Sequence, residues 1–161
     1  MKRIAVIGSS GPISDTISSV AESIGQKIAA QKGILITGGK DGVMEAASKG
    51  AKSRRGTTVG ILAEDSPTAA NPYVDIAIAT GIGYARNYLN IISSDAIISI
   101  AGAGGTLSEI GFAIALQKRL ILVQGTGGVT DMVSQHLPLF PNAEIHLAKT
   151  SDEAVKLAFS V

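Results

Sequence analysis

The chain has no cysteine and no tryptophan, and only two of its 161 residues are histidines. Without cysteine it can form no disulfide, no thiol nucleophile and no thiolate metal site. The two imidazoles, His136 and His146, are ten positions apart in a proline-containing region. We therefore expect no metal site.

Charge is also scarce, since charged residues make up 17% of the chain and the formal net charge is +1. A field this weak does not attract nucleic acid or an acidic membrane surface. No apolar run approaches the length of a membrane span, and the start of the chain does not resemble a secretory signal. We expect a cytoplasmic protein with no nucleic-acid or membrane partner.

Apolar residues are abundant, at 45% of the chain, and the mean hydropathy is +0.32. A small monomer needs a polar surface, and this composition supplies little of one. We therefore predict a homo-oligomer, most simply a dimer.

Short apolar runs rich in isoleucine and valine alternate with segments of helical period along the whole sequence. Runs that are apolar on both faces and are joined by helices are typical of a parallel sheet. The sequence predicts one domain over residues 1–161, a doubly wound, Rossmann-like α/β fold with about seven mostly parallel strands and helices on both faces. The predicted strands cover residues 4–7, 34–37, 58–62, 74–78, 96–100, 120–123 and 145–147, and the predicted helices cover residues 13–31, 43–52, 84–93, 106–117, 129–135 and 152 onward.

The most informative segment is Ala101-Gly102-Ala103-Gly104-Gly105-Thr106-Leu107-Ser108-Glu109, which lies between a predicted strand and a predicted helix. A glycine-rich turn leaves backbone N–H groups uncovered at the positive end of a helix, where an anion such as phosphate binds well. Glu109 follows about one turn into the helix. The pattern predicts a phosphate site with a carboxylate beside it.

Similar glycine turns follow other strands, and the carboxyl ends of parallel strands meet at one edge of the sheet, where ligands bind. Four such turns favour a phosphate or nucleotide cleft over mere tight turns. They are Gly8-Ser9-Ser10-Gly11, Gly38-Gly39-Lys40-Asp41-Gly42, Gly102 to Gly105, and a turn containing Gly125, Gly127 and Gly128.

Several common nucleotide and hydrolase motifs are absent. Nothing matches the Walker A pattern or the dinucleotide fingerprint, and there is no G-x-S-x-G elbow. The remaining candidates for chemistry are Arg86, Asp95, Thr106 and Glu109. Three of them also have a simple structural interpretation: Arg86 as a surface arginine, Asp95 as a turn residue, and Glu109 as a glutamate favoured by the helix dipole.

Taken together, these residues resemble the Lonely Guy (LOG) family and its relatives, once labelled lysine decarboxylases. The family motif P-G-G-x-G-T-x-x-E matches Gly102, Gly105, Thr106 and Glu109 in register. Residues elsewhere along the chain extend the resemblance to nearly its whole length. They are Arg86, the pair Ser94-Asp95, the opening Gly8-Ser9-Ser10 and the turn Gly38-Gly39 with Gly42-Val43-Met44.

The departures from the family pattern resemble the short branch that includes molybdenum-cofactor carrier proteins. Ala101 replaces the proline of the motif, Ala103 replaces its second glycine, and Ser108 replaces the first of two adjacent glutamates. Asn87 occupies the position after the arginine, where the family often has lysine. The resemblance implies a dimer built partly from the helix after the motif. It implies the molybdenum cofactor or a nucleotide as bound ligand, with no required cofactor and no lysine decarboxylase activity.

Two functions remain open on the sequence. In the first, the chain binds a phosphorylated nucleotide-like or pterin-type molecule as a carrier or sensor. In the second, it is a phosphoribohydrolase that cleaves a nucleoside 5′-monophosphate to free base and ribose 5-phosphate, with Arg86 and Glu109 as the catalytic residues that the resemblance implies. The predicted ligand contacts are the same in both: Gly8, Ser9, Ser10, Gly38, Gly39, Gly42, Arg86, Gly102, Ala103, Gly104, Gly105 and Thr106.

Overall fold

The computed structural model describes residues 1–160, which form one seven-stranded sheet flanked by helices. All neighbouring strands are parallel, in the order β4-β3-β2-β1-β5-β6-β7. The predicted α/β fold is therefore confirmed. The strands are β1 (Arg3–Gly8), β2 (Ile34–Thr37), β3 (Thr57–Leu62), β4 (Ile76–Ala79), β5 (Ala96–Ile100), β6 (Arg119–Val123) and β7 (Ile145–Ala148), and the helices are α1 (Asp15–Ala30), α2 (Val43–Ser53), α3 (Arg86–Ile92), α4 (Gly104–Ala115), α5 (Gly128–Ser134) and α6 (Ser151–Phe159).

The helices form a layer on each face of the sheet. Helices α1, α2 and α6 cover one face, where Ile24 and Ile28 of α1 are completely buried. Helices α3, α4 and α5 cover the other, through Ile91, Ile110 and Val133. Strand β5 is buried along its whole length because both faces are covered at the centre of the sheet, which accounts for its unbroken apolar sequence.

The strand order turns at β1. From β1 the chain builds outward through β2 and β3 to β4, and it then returns to the other side of β1 to add β5, β6 and β7. The connections that leave β1 and β5 therefore diverge, and a crevice remains between the carboxyl ends of these two strands. Gly8 of β1 pairs in register with Ile100 of β5, so the first and third predicted glycine turns lie side by side.

Two element boundaries differ from the sequence prediction in ways that matter for the site. Helix α4 begins at Gly104, two residues earlier than predicted, so two glycines form its first turn. Helix α3 is preceded by a single 3-10 turn, Gly83–Ala85, and begins at Arg86. Among residues 1–160, no helix is both long and apolar enough to cross a membrane.

Candidate functional site

A cavity of about 730 Å³ opens at the carboxyl ends of β1 and β5. Its wall combines the loops after these strands, the first turn of α4 and the start of α3. Most of the predicted ligand contacts lie on it. The lining residues are Val6, Ile7, Gly8, Ser9, Ser10, Pro12, Gly38, Met44, Tyr84, Arg86, Asn87, Gly102, Ala103, Gly104, Gly105, Thr106, Ser108 and Glu109.

The first turn of α4 presents free backbone donors to this cavity. Its N-cap is Ala103, whose side chain cannot accept a hydrogen bond, and the first intrahelical bond runs from the N–H of Leu107 to the oxygen of Ala103. Within residues 1–160, the N–H groups of Gly104, Gly105 and Thr106 have no acceptor. An uncapped helix N-terminus of this kind combines exposed donors with the positive end of the helix dipole.

The two glycines of this turn leave room for a ligand. A methyl group added at Gly104 would meet no atom within 4 Å, and one at Gly105 would only reach ordinary contact with Tyr84 and Asn87. Neither position has a positive φ. Backbone strain therefore does not require glycine at these two positions. An anion bound to these N–H groups would need the space that the absent side chains leave.

Other glycines of the site are required by packing. A Cβ at Gly8 would collide with the backbone oxygen of Ile100, and one at Gly102 would collide with the side chain of Thr106. At Gly38 the added atom would collide with the guanidinium of Arg86. These glycines let the cavity walls approach one another.

Ser9 links the loops that form the cavity. Its hydroxyl oxygen accepts a hydrogen bond from the N–H of Gly102, and its backbone oxygen accepts one from the N–H of Val43 at the start of α2. The N–H of Gly102 is thus already used by the protein. Ser10 is exposed on the cavity wall.

Gly39 and Gly42 lie outside the cavity wall, and both have positive φ. A Cβ at Gly39 would meet Leu62 on β3, and one at Gly42 would collide with the backbone oxygen of Ser9. These two predicted ligand contacts thus do not line the cavity, and their glycines allow the tight backbone of the β2–α2 turn.

Among the described residues, Arg86 is the one cationic side chain on the cavity wall, and only 9% of the residue is exposed. Its Nη1 donates to the backbone oxygen of Ile61 at 2.7 Å, while its Nε is buried without a partner. Burial lowers the pKa of Arg86, whereas the negative charges of Glu109 and Glu64 raise it. A guanidinium stays protonated in proteins, so the cavity contains a fixed positive charge.

Glu109 lies on the same wall and is 7% exposed. Burial raises its pKa from the ordinary 4.5 to about 7, although a hydrogen bond from Asn90 and the charge of Arg86 lower it. No ion pair within 4.0 Å joins Arg86 to Glu109 among the described residues. The carboxyl therefore gains or loses its proton near neutral pH.

Asn90, which the sequence analysis does not single out, contacts Glu109 without lining the cavity itself. It lies one turn after Arg86 on α3, is 1% exposed, and donates from Nδ2 to Oε1 of Glu109 at 2.8 Å. Its Oδ1 is buried without a partner. The sequence carries a signal for this contact, because Asn90 lies four residues after the candidate residue Arg86 and residues four apart share a face of a helix.

Two candidates lie away from the cavity. Asp95 pairs with Arg3 at 2.7 Å at the opposite, amino edge of the sheet. The turn after β6 is filled by its own chain, since the Asp131 carboxylate accepts hydrogen bonds from the N–H groups of Gly125 and Gly127. Three of the four glycine turns are therefore built around the cavity, and the fourth is closed.

Comparison with known proteins assigns the family. The profile of the SLOG cluster4 family matches residues 1–155. The chain belongs to the SLOG cluster4 family. An uncharacterized protein of Archaeoglobus fulgidus is 43% identical to it over 120 residues, which are 74% of this chain and 78% of that protein.

Two solved structures of similar proteins have informative names. A molybdenum cofactor binding protein from Rippkaea orientalis is 38% identical, with a TM-score of 0.89 over 97% of this chain and 94% of that one. The molybdenum cofactor carrier protein of Chlamydomonas reinhardtii is 32% identical, with a TM-score of 0.85 over 97% and 95% of the two chains. The resemblance drawn from the sequence is confirmed.

Two departures of this SLOG cluster4 protein from the LOG-like motif contact each other. Asn87 stands where a lysine is frequent, and Ser108 stands for a glutamate. Nδ2 of Asn87 donates to Oγ of Ser108 at 3.0 Å and to the backbone oxygen of Gly105 at 3.3 Å. A neutral hydrogen bond thus supports the first turn of α4.

The raised pKa of Glu109 makes the stability of this SLOG cluster4 protein depend on pH. An acid whose pKa is higher in the folded state stabilises the fold fully below pH 4.5, and that contribution is lost as pH rises through about 7. We expect Glu109→Gln to raise the free energy of unfolding at pH 8.5 by roughly 1–3 kcal/mol, and to have little effect at pH 4.5. Urea denaturation at both pH values measures the difference.

The matched control is Glu144→Gln. The Arg119 side chain holds the pKa of Glu144 below its ordinary value, so this variant should be no more stable than wild type at pH 8.5. A Glu109→Gln protein that is less stable than wild type at pH 8.5 would contradict the assignment, because it would mean that the carboxylate is stabilised where it lies.

Proposed function

We propose that this protein binds a phosphorylated, pterin-type or nucleotide-like small molecule at the start of α4 and carries it without cleaving it. The observation behind the proposal is the juxtaposition of free N–H donors on Gly104, Gly105 and Thr106 with the buried cation Arg86 on one cavity wall. Two similar structures are named as molybdenum cofactor binding or carrier proteins, which supports a molecule of that class as cargo.

The phosphate would lie on the first turn of α4. Three N–H groups point to one end of the cavity, and the Thr106 hydroxyl makes no hydrogen bond within the described residues. Arg86 would hold the anion from the α3 side, because a guanidinium binds phosphate through directed, charge-assisted hydrogen bonds. Its bond to the Ile61 oxygen fixes the side chain in place before a ligand arrives.

Glu109 would be the group that adapts to the ligand. A phosphate nearby raises the free energy of the ionised carboxylate, so binding favours its protonated form. A pKa of about 7 makes this protonation inexpensive at neutral pH. The buried carboxyl thus tolerates an anion that a fully ionised glutamate would repel.

The phosphoribohydrolase remains as the second candidate, because Arg86 and Glu109 line one cavity and the pKa of Glu109 suits acid–base chemistry. Incubating the purified protein with the molybdenum cofactor and with nucleoside monophosphates separates the two functions. We expect stoichiometric binding measured by calorimetry, and no free base detected by chromatography.

Release of base would contradict the carrier proposal. In that case Glu109→Gln should slow turnover by about a hundredfold or more with little change in binding, as expected when one preorganised charged group is removed.

The phosphate position is tested with a matched pair of glycine variants on one helix. Gly105→Val places a side chain over the free N–H groups, whereas Gly111→Val places the same side chain farther along α4, where no atom lies within 4 Å of the new Cβ. We expect Gly105→Val to weaken binding of ribose 5-phosphate by about tenfold or more and Gly111→Val to leave it unchanged. Unchanged affinity in a folded Gly105→Val protein would place the phosphate elsewhere.

The outer surface of α3 and α4 supports the predicted homodimer. The only charged residues of the two helices, Arg86 and Glu109, are buried at the cavity. Tyr88, Ile92 and Leu107 are each at least 40% exposed. A charge-free apolar surface of this kind fits a second copy of itself across a two-fold axis.

We expect light scattering to give about twice the chain mass of 16.4 kDa. Ile92→Glu should shift the protein to monomer, because it would bury an unpaired charge at the interface. Leu139→Glu, at an exposed apolar position outside this surface, should remain dimeric. A wild-type monomer at micromolar concentration would refute the assignment.

A further inference from the structure

The cavity contains one aromatic side chain, and it is unusually exposed. The chain has three tyrosines and three phenylalanines, and among the lining residues only Tyr84 is aromatic. Its side chain is 81% exposed, far more than that of Tyr88 one turn later. A large planar surface left open at the mouth of a polar cavity lacks the partner that aromatic rings ordinarily have.

The backbone around Tyr84 is held in position although its ring is open. Tyr84 lies in the 3-10 turn Gly83–Ala85, immediately before α3. The N–H of Gly83 donates to the oxygen of Ala63, and the N–H of Gly81 donates to the oxygen of Glu64. The ring is therefore presented by an anchored turn, which reduces the entropy lost when something packs on it.

The ring also stands beside the phosphate position. Its Cε1 would lie 3.8 Å from a methyl group at Gly105, and Gly105 carries one of the free N–H groups. Arg86 follows two residues later and approaches the same cavity. A molecule whose phosphate sits on the α4 turn would thus have its remaining atoms within reach of the tyrosine.

We propose that Tyr84 is the stacking surface for the planar heteroaromatic ring of the ligand and that it selects ring-bearing phosphates over simple ones. The proposal rests on the phosphate placement of the proposed function and adds the contact that decides specificity. Met44 of α2 and Pro12 of the β1–α1 loop supply further apolar surface to the cavity wall. The α4 turn and Arg86 bind any phosphate of suitable size, whereas stacking on Tyr84 strengthens the binding of ligands that carry a planar ring.

The test compares guanosine 5′-monophosphate with ribose 5-phosphate by calorimetry. The two share the phosphate and the sugar, and only the first has a ring; its aminopyrimidinone half is also found in pterins. We expect Tyr84→Ala to weaken binding of the nucleotide by about tenfold or more, the usual effect of losing one stacked base. The same substitution should change the affinity for ribose 5-phosphate by less than about twofold. Tyr84→Phe should keep the wild-type preference, because stacking needs the ring and not the hydroxyl.

Tyr88→Ala is the matched control. Tyr88 belongs to the same helix region and the same apolar surface, packs edge-on against Phe112, and does not line the cavity. We expect it to leave both affinities unchanged. Because the chain has no tryptophan, tyrosine fluorescence gives a second readout: the nucleotide should quench it in wild type and Tyr88→Ala, and less in Tyr84→Ala.

The outcomes separate the two proposals. If neither compound binds wild type, the phosphate placement fails and this inference fails with it. If ribose 5-phosphate binds but Tyr84→Ala weakens both compounds equally, or neither, the stacking role is refuted while the phosphate site stands. An equal loss in Tyr88→Ala would assign the effect to the subunit surface and would also refute the role.

Discussion

The divergence of the chain at β1 is the constraint on which the site depends. Because β2 and β5 are added on opposite sides of β1, the loops that follow β1 and β5 cannot pack as one continuous layer. Ser9 joins these loops by a single hydrogen bond to Gly102. That bond ties the two loops together beside the crevice, while the first turn of α4 keeps donors that no residue of the range 1–160 satisfies. The position of the site thus follows from topology, whereas its chemistry follows from a few side chains.

Burial of those side chains lowers the stability of the fold. Arg86 and Glu109 are both more than nine-tenths buried, and neither has the other within ion-pair distance. Desolvation acts on both: it lowers the pKa of the arginine and raises that of the glutamate. The unpaired Nε of Arg86 and Oδ1 of Asn90 add to this cost, since buried polar atoms are ordinarily hydrogen-bonded. Buried and partly unpaired polar groups that line a cavity or contact its lining residues are typical of a site organised for a ligand.

The sequence predicted the fold almost completely, because strands buried on both faces leave unbroken apolar runs such as Ala96–Ile100. It also singled out the α4 turn, Arg86 and Glu109, all of which line one cavity. It failed where an outcome depends on neighbours distant in sequence. Asp95 forms its pair with Arg3 only once β1 and β5 align. The contact between Asn90 and Glu109 joins two helices, and the exposure of Tyr84 depends on how a 3-10 turn meets α4. The spacing of apolar residues along the sequence gives no information about these contacts.

The turn at the start of α5 offers a comparison within the molecule. There Asp131, the fourth residue of the helix, folds back onto the N–H groups of Gly125 and Gly127. The N–H groups of Val129 and Thr130 in the first turn of α5 donate to the backbone oxygens of Gly102 and Ala101. Within residues 1–160, the N–H groups of Gly104, Gly105 and Thr106 in the first turn of α4 have no such partner. The short segment after β5 therefore completes the beginning of one helix with its own carbonyl groups and leaves the beginning of the helix that it leads into uncovered.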